Sequence, residues 1–253
     1  MEPIEIPNTP VPASLPAETK PEHAAIAPMW HTVALVAILI LFSWGNAHAD
    51  HSNVMKHGVA PFYLLTMIWE WILFFYVWWG IRKRKVTMKE LVGGRWNKVE
   101  DALIDVLIAV GFWFVALLVL ALLAKLLHLT GGAGQFEEVR KQIGFLVPHS
   151  ATEVAMWVGL CATAGICEEV IFRGYLQRQF AAMGRNVWVG IVLSGICFGS
   201  AHGYEGVRRM MLIAVYGMMF GVLAHYRKSL RPGMMAHGLH DLVTGLVLRA
   251  FIK

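Results

Sequence analysis

Several long apolar runs, separated by short polar or basic segments, most constrain the fold of this chain. An apolar run of about 18 residues or more is long enough to cross the hydrocarbon core of a bilayer as a helix. Only 15% of the residues are charged, whereas about 25% are charged in a typical soluble protein. The sequence therefore predicts an all-α fold, a polytopic bundle of transmembrane helices.

The limits of the apolar runs predict about seven transmembrane helices. These cover residues 29–47, 59–81, 102–127, 151–180, 187–203, 207–225 and 233–252. The fourth helix is longer than a simple span, so its last turns are expected to extend into the cytoplasmic interface. An amphipathic piece at residues 135–146 is expected to lie in the membrane interface.

The residues before the first span differ from the rest of the chain. Residues 1–28 hold seven of the ten prolines, and proline-rich polar segments form neither helices nor a packed core. We therefore predict a disordered tail at residues 1–28 and one transmembrane domain at residues 29–253.

Basic residues cluster between the second and third predicted spans. Seven lie in residues 82–101, against a single lysine in the preceding loop. By the positive-inside rule, residues 82–101 and the N-terminus are cytoplasmic. No basic stripe with interleaved aromatic residues occurs, so the net charge of +5 indicates membrane topology and a lipid bilayer as partner, and no nucleic acid.

Two adjacent carboxylates, Glu168 and Glu169, lie inside the fourth apolar run, and Arg173 follows. Ionisable groups at membrane depth cost about 2.5–3.5 kcal/mol each on insertion scales, so they often mark functional sites. Glu169 and Arg173 are helical i,i+4 neighbours, whereas Glu168 is turned about 100° from Glu169. The spacing predicts that Glu169 pairs with Arg173 and that Glu168 is free for chemistry. The alternative is that both glutamates only hold helices together.

Histidines occur in two later apolar runs. His202 lies about as far after the turn near residues 184–185 as the glutamate pair lies before it, so antiparallel helices bring them to a similar depth. In the last run His237 and Asp241 are i,i+4 neighbours on one helix face. Three helices are therefore expected to contribute polar groups to a shared site.

This set of groups suits the hydrolysis of a bond by activated water. A desolvated Glu168 can act as general base, and His202 can position or share the water. His237, oriented by Asp241, can donate a hydrogen bond to an oxyanion. One glutamate and two histidines also match the ligand count of a catalytic zinc site, but no HExxH motif occurs, so we predict no metal and keep a zinc-dependent reaction as the alternative.

Glu70, between Trp69 and Trp71, is a lone carboxylate near the middle of the second predicted span. It either lies protonated against a neighbour or lines a cavity, and the sequence leaves both readings open. Two other functions for the whole chain also stay open. One is a non-enzymatic scaffold that binds a peptide, for immunity to a bacteriocin or for regulation, and the other is a proton-coupled transporter.

Three motifs together resemble the CPBP intramembrane proteases, which include type II CAAX prenyl endopeptidases and bacterial Abi-like proteins. The motifs are EExxFR at Glu168–Arg173, FxxxH at Phe198–His202 and HxxxD at His237–Asp241. The resemblance covers about residues 151–245. It implies a helical membrane endopeptidase in which Glu168 and His202 activate water, with Glu169, Arg173 and Phe198 in support. The third motif often ends in asparagine in that family, so orienting His237 is the role we expect for Asp241.

The resemblance also sets expectations for substrate and location. It implies a membrane-associated protein or peptide as substrate, cleaved at a site open to the cytoplasmic side. The expected location is the bacterial inner membrane, with several spans and a cytoplasmic N-terminus. No cofactor is expected, and no oligomeric state is assigned.

Overall fold

The computed structural model describes residues 24–49, 58–127, 140 and 143–251. The described residues form helices and connecting turns, with no strand among them and a single isolated β-bridge between Gly93 and Ser229. The predicted all-α fold is therefore confirmed. Most of the predicted N-terminal tail, at residues 1–23, lies outside the described residues.

Nine α-helices and three other helical segments follow one another along the described chain. The α-helices are α1 (Met29–Ala47), α2 (Ala60–Arg82), α3 (Met88–Val92), α4 (Val99–Leu126), α5 (Ala151–Glu168), α6 (Gln177–Gly184), α7 (Val187–Ala201), α8 (Val207–Arg227) and α9 (Arg231–Phe251). The other segments are the 3-10 turns Gly144–Leu146 and Gly203–Glu205 and the π-helix Glu169–Leu176.

The long helices coincide with the predicted spans. Among the described residues, five helical stretches are long and apolar enough to cross a membrane, and Ala151–Gly184 counts as one of them. With the shorter apolar helix α7 and the final helix α9, the described chain has a helix at each of the seven predicted spans. These helices are those of a multi-pass membrane protein.

The stretch Ala151–Gly184 is the centre of the bundle. It is 34 residues long and passes without a break from α5 through the π-helix into α6. All eight residues of the π-helix are buried, with α2 and α9 packed against α5 and with α7 packed against both the π-helix and α6. The sequence predicted a helix at residues 151–180, which is four residues shorter than the helical stretch in the structure. It did not predict the π-helix, a rare form of helix that is often found at functional sites.

Close approach of the helices depends on small residues. A Cβ atom on Gly165 of α5 would lie 2.5 Å from the Met234 carbonyl oxygen of α9. A Cβ on Gly195 of α7 would lie 2.5 Å from Cγ of Met218 in α8. Small residues at helix interfaces let backbones approach closely, and here they set the distance between the helices that carry the polar motifs.

The loop after α2 differs from its prediction, because it contains the short helix α3, which begins with a capping box between Thr87 and Glu90. Residues 135–139, 141 and 142 of the predicted interfacial piece lie outside the described residues. At its end, Ile143 and Phe145 are buried. The Tyr63 hydroxyl donates a hydrogen bond to the Leu146 carbonyl oxygen, which fixes this segment against α2.

The two basic loops meet at one end of the bundle. The Leu230 amide donates to the Val92 carbonyl oxygen at 2.8 Å, and the Arg231 guanidinium donates to the Gly93 carbonyl oxygen at 2.5 Å. Arg178 of α6 donates to the Leu91 carbonyl oxygen at 2.9 Å. The loop after α2 and the loop before α9 therefore lie on the same side of the bundle.

Candidate active site

The predicted pair of Glu169 and Arg173 forms in the π-helix. Arg173 Nη1 lies 2.9 Å from Glu169 Oε1, and both side chains are almost fully buried. Glu169 Oε1 also lies 3.1 Å from Nδ1 of His237 in α9. Glu169 therefore joins the π-helix to α9 as well as holding Arg173, a contact that the sequence did not predict.

Aromatic rings and a backbone oxygen complete the surroundings of Arg173. Its guanidinium lies 4.2 Å from the ring centre of Phe198 and 4.9 Å from that of Phe220. It also donates a hydrogen bond to the Gly217 carbonyl oxygen at 3.2 Å. A cation over aromatic faces is attracted by their quadrupoles, so Phe198 of the FxxxH motif supports Arg173 directly.

The second ring nitrogen of His237 faces two more carboxyl groups. His237 Nε2 lies 3.6 Å from Glu168 Oε2 and 3.6 Å from Asp241 Oδ2. Both distances exceed those of a direct N–H···O hydrogen bond, and Glu168 Oε2 has no hydrogen-bond partner among the described residues. Glu168 thus keeps a lone pair for another group, while both nitrogens of His237 point toward acceptors.

His202 is the residue at which α7 ends. Its Nδ1 lies 2.9 Å from the Phe198 carbonyl oxygen, one helical turn earlier. A carbonyl oxygen only accepts, so the hydrogen bond places the proton on Nδ1. In the neutral ring, Nε2 then keeps its lone pair. His202 can therefore accept a hydrogen bond or a proton from water at Nε2.

One cavity of about 650 Å³ brings these groups together. Pockets of about 300–1,000 Å³ with mostly apolar walls and a few convergent polar groups are typical ligand sites. All four residues proposed as catalytic line this cavity, namely Glu168, His202, His237 and Asp241, and so does Phe198, which was proposed in support. Its remaining walls are largely aliphatic and aromatic side chains of α1, α2, α5, α8 and α9.

Further polar residues line the cavity, and Tyr204 and Glu70 are two of them. Tyr204, in the turn after α7, was not proposed from the sequence, and burial together with nearby Glu205 and Glu168 raises its pKa well above the usual value. Its phenol therefore stays a hydrogen-bond donor at neutral pH. Glu70 of α2 is buried with 7% of its surface exposed and lines the cavity together with Glu168. Of the two alternatives that the sequence left open for Glu70, the structure supports the one in which it lines a cavity.

The arrangement of the donor groups bears on the zinc-dependent alternative. No three histidine, cysteine, aspartate or glutamate side chains are arranged to hold a metal ion in the part of the chain that the structure describes. Nδ1 of His202 faces a carbonyl oxygen and Nδ1 of His237 faces Glu169, so Nε2 is the nitrogen that each ring has left for another partner. A tetrahedral zinc site needs three protein ligands that converge on one point.

Comparison with known proteins supports the resemblance drawn from the three motifs. No curated protein and no solved structure matches this chain. One family model does match, and it covers α5, the π-helix and most of α9, the elements that supply Glu168 and His237 to the cavity. Over residues 150–243, this chain matches the Rce1-like family of type II CAAX prenyl endopeptidases.

Proposed function

We propose that this protein is an intramembrane endopeptidase that hydrolyses a peptide bond of a membrane-associated protein or peptide. The observation that carries the proposal is the convergence of Glu168, His202 and His237 on one cavity between apolar helices. The match to a protease family over the same residues supports it. The peptide-binding scaffold does not require an acid and a lone-pair nitrogen beside a shared space. A proton-coupled transporter can also use buried acids and histidines, so the match to a protease family is what favours hydrolysis over transport.

The proposed reaction uses a water molecule between Glu168 and His202. The water oxygen attacks the carbonyl carbon of the substrate while Glu168 takes one of the two water protons. His202 Nε2 accepts a hydrogen bond from the remaining O–H. The C–N bond then breaks, and the proton held by Glu168 passes to the leaving nitrogen. The products are a carboxylic acid and an amine, so the water is fully accounted for.

His237 and Asp241 act on the oxygen of the scissile carbonyl. In the proposal, His237 is the doubly protonated imidazolium: Nδ1–H donates to Glu169, and Nε2–H donates to the oxyanion that forms during the attack. Glu169 orients the ring through Nδ1 at 3.1 Å, and Asp241 lies on the other side at 3.6 Å. Donors that are already aligned in a dry site stabilise developing charge more than they do in water.

The direct test is cleavage by purified protein in liposomes. The probes are internally quenched peptides that end in CAAX sequences, each prepared with and without a farnesyl group. We expect a fluorescence increase with a single new peptide terminus detected by mass spectrometry. Intact peptides after prolonged incubation, with protein that remains folded in the bilayer, would contradict the proposal.

Metal dependence has its own expected result. Because the donor groups do not converge as zinc ligands, we expect cleavage to continue in EDTA. The measurement is the rate of peptide cleavage before and after dialysis against EDTA, with zinc content determined in parallel. Loss of activity that zinc restores, with about one zinc bound per chain, would instead establish the metal-dependent reaction.

The proposed location is the bacterial inner membrane, with the N-terminus in the cytoplasm. Its support is the contact between the loop after α2 and the loop before α9, both basic and both on one side of the bundle. Two basic loops on the same side satisfy the positive-inside rule together. Accessibility of a cysteine introduced at Lys85 to a membrane-impermeant reagent in inverted vesicles, but not in intact cells, is the expected result.

A further inference from the structure

Glu70 belongs to the cavity but lies outside the segment that matches the protease family. It occupies the middle of α2, whereas the family match begins at residue 150. Its side chain is more than nine-tenths buried, lines the cavity and has one oxygen, Oε2, without a hydrogen-bond partner among the described residues. A buried polar atom of this kind needs a physical explanation.

The group that Glu70 faces is another acid. Glu70 and Glu168 line the same cavity, where α2 packs against α5, and Oε2 of Glu168 also has no hydrogen-bond partner in the described part of the chain. Ionised carboxylates only accept hydrogen bonds, so two of them can bond only if one carries a proton. A direct hydrogen bond between these two neighbouring glutamates would therefore need a proton on one of them.

The other titratable groups around Glu70 do not replace that proton. Among the described residues, the groups that interact electrostatically with Glu70 are Glu168, Asp241, Cys161, Cys167 and Tyr204. Each of these groups is neutral or negative, and no lysine or arginine of the described chain forms an ion pair with Glu70. His237 is a basic group of the cavity and lies 3.6 Å from Glu168, but it is not among the groups that act on Glu70. A shared proton therefore remains the means of relieving repulsion at Glu70 itself.

We propose that Glu70 is a positioning residue whose protonated carboxyl group donates a hydrogen bond to Glu168 and holds the general base toward the substrate. This inference rests on the proposed function and adds to it a residue of α2. One oxygen of Glu168 accepts the bond from Glu70, and the other takes the proton of the attacking water. When that proton passes to the leaving nitrogen, the bond from Glu70 is unchanged. Hydrogen-bond partners that orient a reacting group in this way keep it within a narrow range of productive geometry.

Two substitutions at position 70 separate this role from a packing role. Glu70→Gln keeps the volume and an N–H donor for Glu168, and Glu70→Leu keeps the volume without a donor. We expect Glu70→Gln to retain most of the cleavage rate, and Glu70→Leu to lose about 100-fold in kcat with little change in KM, because a small displacement of a reacting group has an effect of this size. The quenched CAAX peptides in liposomes supply the measurement.

The matched control is Asp105→Asn, which also removes a buried carboxylate from a membrane helix. Asp105 pairs with Arg227 at 2.8 Å and does not line the cavity, so its variant is expected to cleave at the wild-type rate. Wild-type kcat in Glu70→Leu would overturn the proposal, since the carboxyl group would then be dispensable. A loss in Glu70→Gln as large as that in Glu70→Leu would also overturn it, because the donor alone would not suffice.

Infrared spectroscopy tests the shared proton without using activity. We expect the protein to show the C=O stretch of a protonated carboxyl group at neutral pH. That band should disappear in Glu70→Gln and shift in Glu168→Gln. If the wild-type protein lacks this band, the inference is wrong even if peptides are cleaved. If the band is present but no peptide is cleaved, the proposed function is wrong and the shared proton is not.

Discussion

Glu168→Gln is expected to reduce peptide cleavage by about 10²–10⁴-fold, the usual contribution of a general acid–base group. Glutamine has the same shape but cannot take a proton from water. Because Oε2 of Glu168 has no hydrogen-bond partner in the described residues, the loss should appear in kcat without a comparable loss of stability. The measurement is steady-state cleavage of the quenched peptides, together with thermal unfolding of each variant.

His202→Ala should cause a loss of similar order, because it removes the lone pair at Nε2 that holds the water. The matched control for Glu168→Gln is Glu153→Gln, the same substitution near the start of the same helix. Glu153 accepts hydrogen bonds from the amides of His149 and Ser150 at 2.8 and 2.9 Å and does not line the cavity. Full activity in both Glu168→Gln and His202→Ala would exclude the proposed mechanism. A cellular phenotype that persists in Glu168→Gln would favour the peptide-binding scaffold.

Arg173→Met is expected to lower the free energy of unfolding by about 3–5 kcal/mol, the usual effect of removing one partner of a buried ion pair. The substitution leaves Glu169 buried with 1% of its surface exposed and with only His237 beside it. It also removes the cation from the faces of Phe198 and Phe220. Unfolding in mixed micelles by a denaturing detergent measures the change.

The double variant Glu169→Leu with Arg173→Met should recover much of this loss, since an apolar pair of similar volume often replaces a buried ion pair at little cost. It should remain inactive, because His237 loses the acceptor at Nδ1 that orients its ring. The control is Arg227→Met, whose partner Asp105 is buried but whose own side chain is 38% exposed. A smaller loss is expected there, because Asp105 keeps the hydrogen bond that the Trp96 indole donates at 2.7 Å. Equal losses in Arg173→Met and Arg227→Met would contradict the assignment of Arg173 to a buried, structural pair.

The positions of the long helices follow from the sequence because hydropathy and helical spacing are local properties. The predicted span 29–47 coincides with α1, and the other spans agree with their helices to within a few residues. The Glu169–Arg173 pair was also predictable, since i,i+4 neighbours stay close on one helix. An antiparallel arrangement of the helices that carry the glutamate pair and His202 was expected to bring them to a similar depth. In the structure, Glu168 and His202 line the same cavity.

Contacts between distant parts of the chain were decided by the tertiary structure. The π-helix at Glu169–Leu176 and the bond from His237 to Glu169 depend on how α5, α7 and α9 pack. Glu70 is the clearest example, because its position in the sequence does not indicate which group lies near it. Only the packing of α2 against α5 brings it to the cavity that Glu168 lines. The sequence alone determined which segments are helices and which polar side chains lie within them. Packing determined which of those side chains meet, because buried polar groups find partners across helices that no local spacing relates.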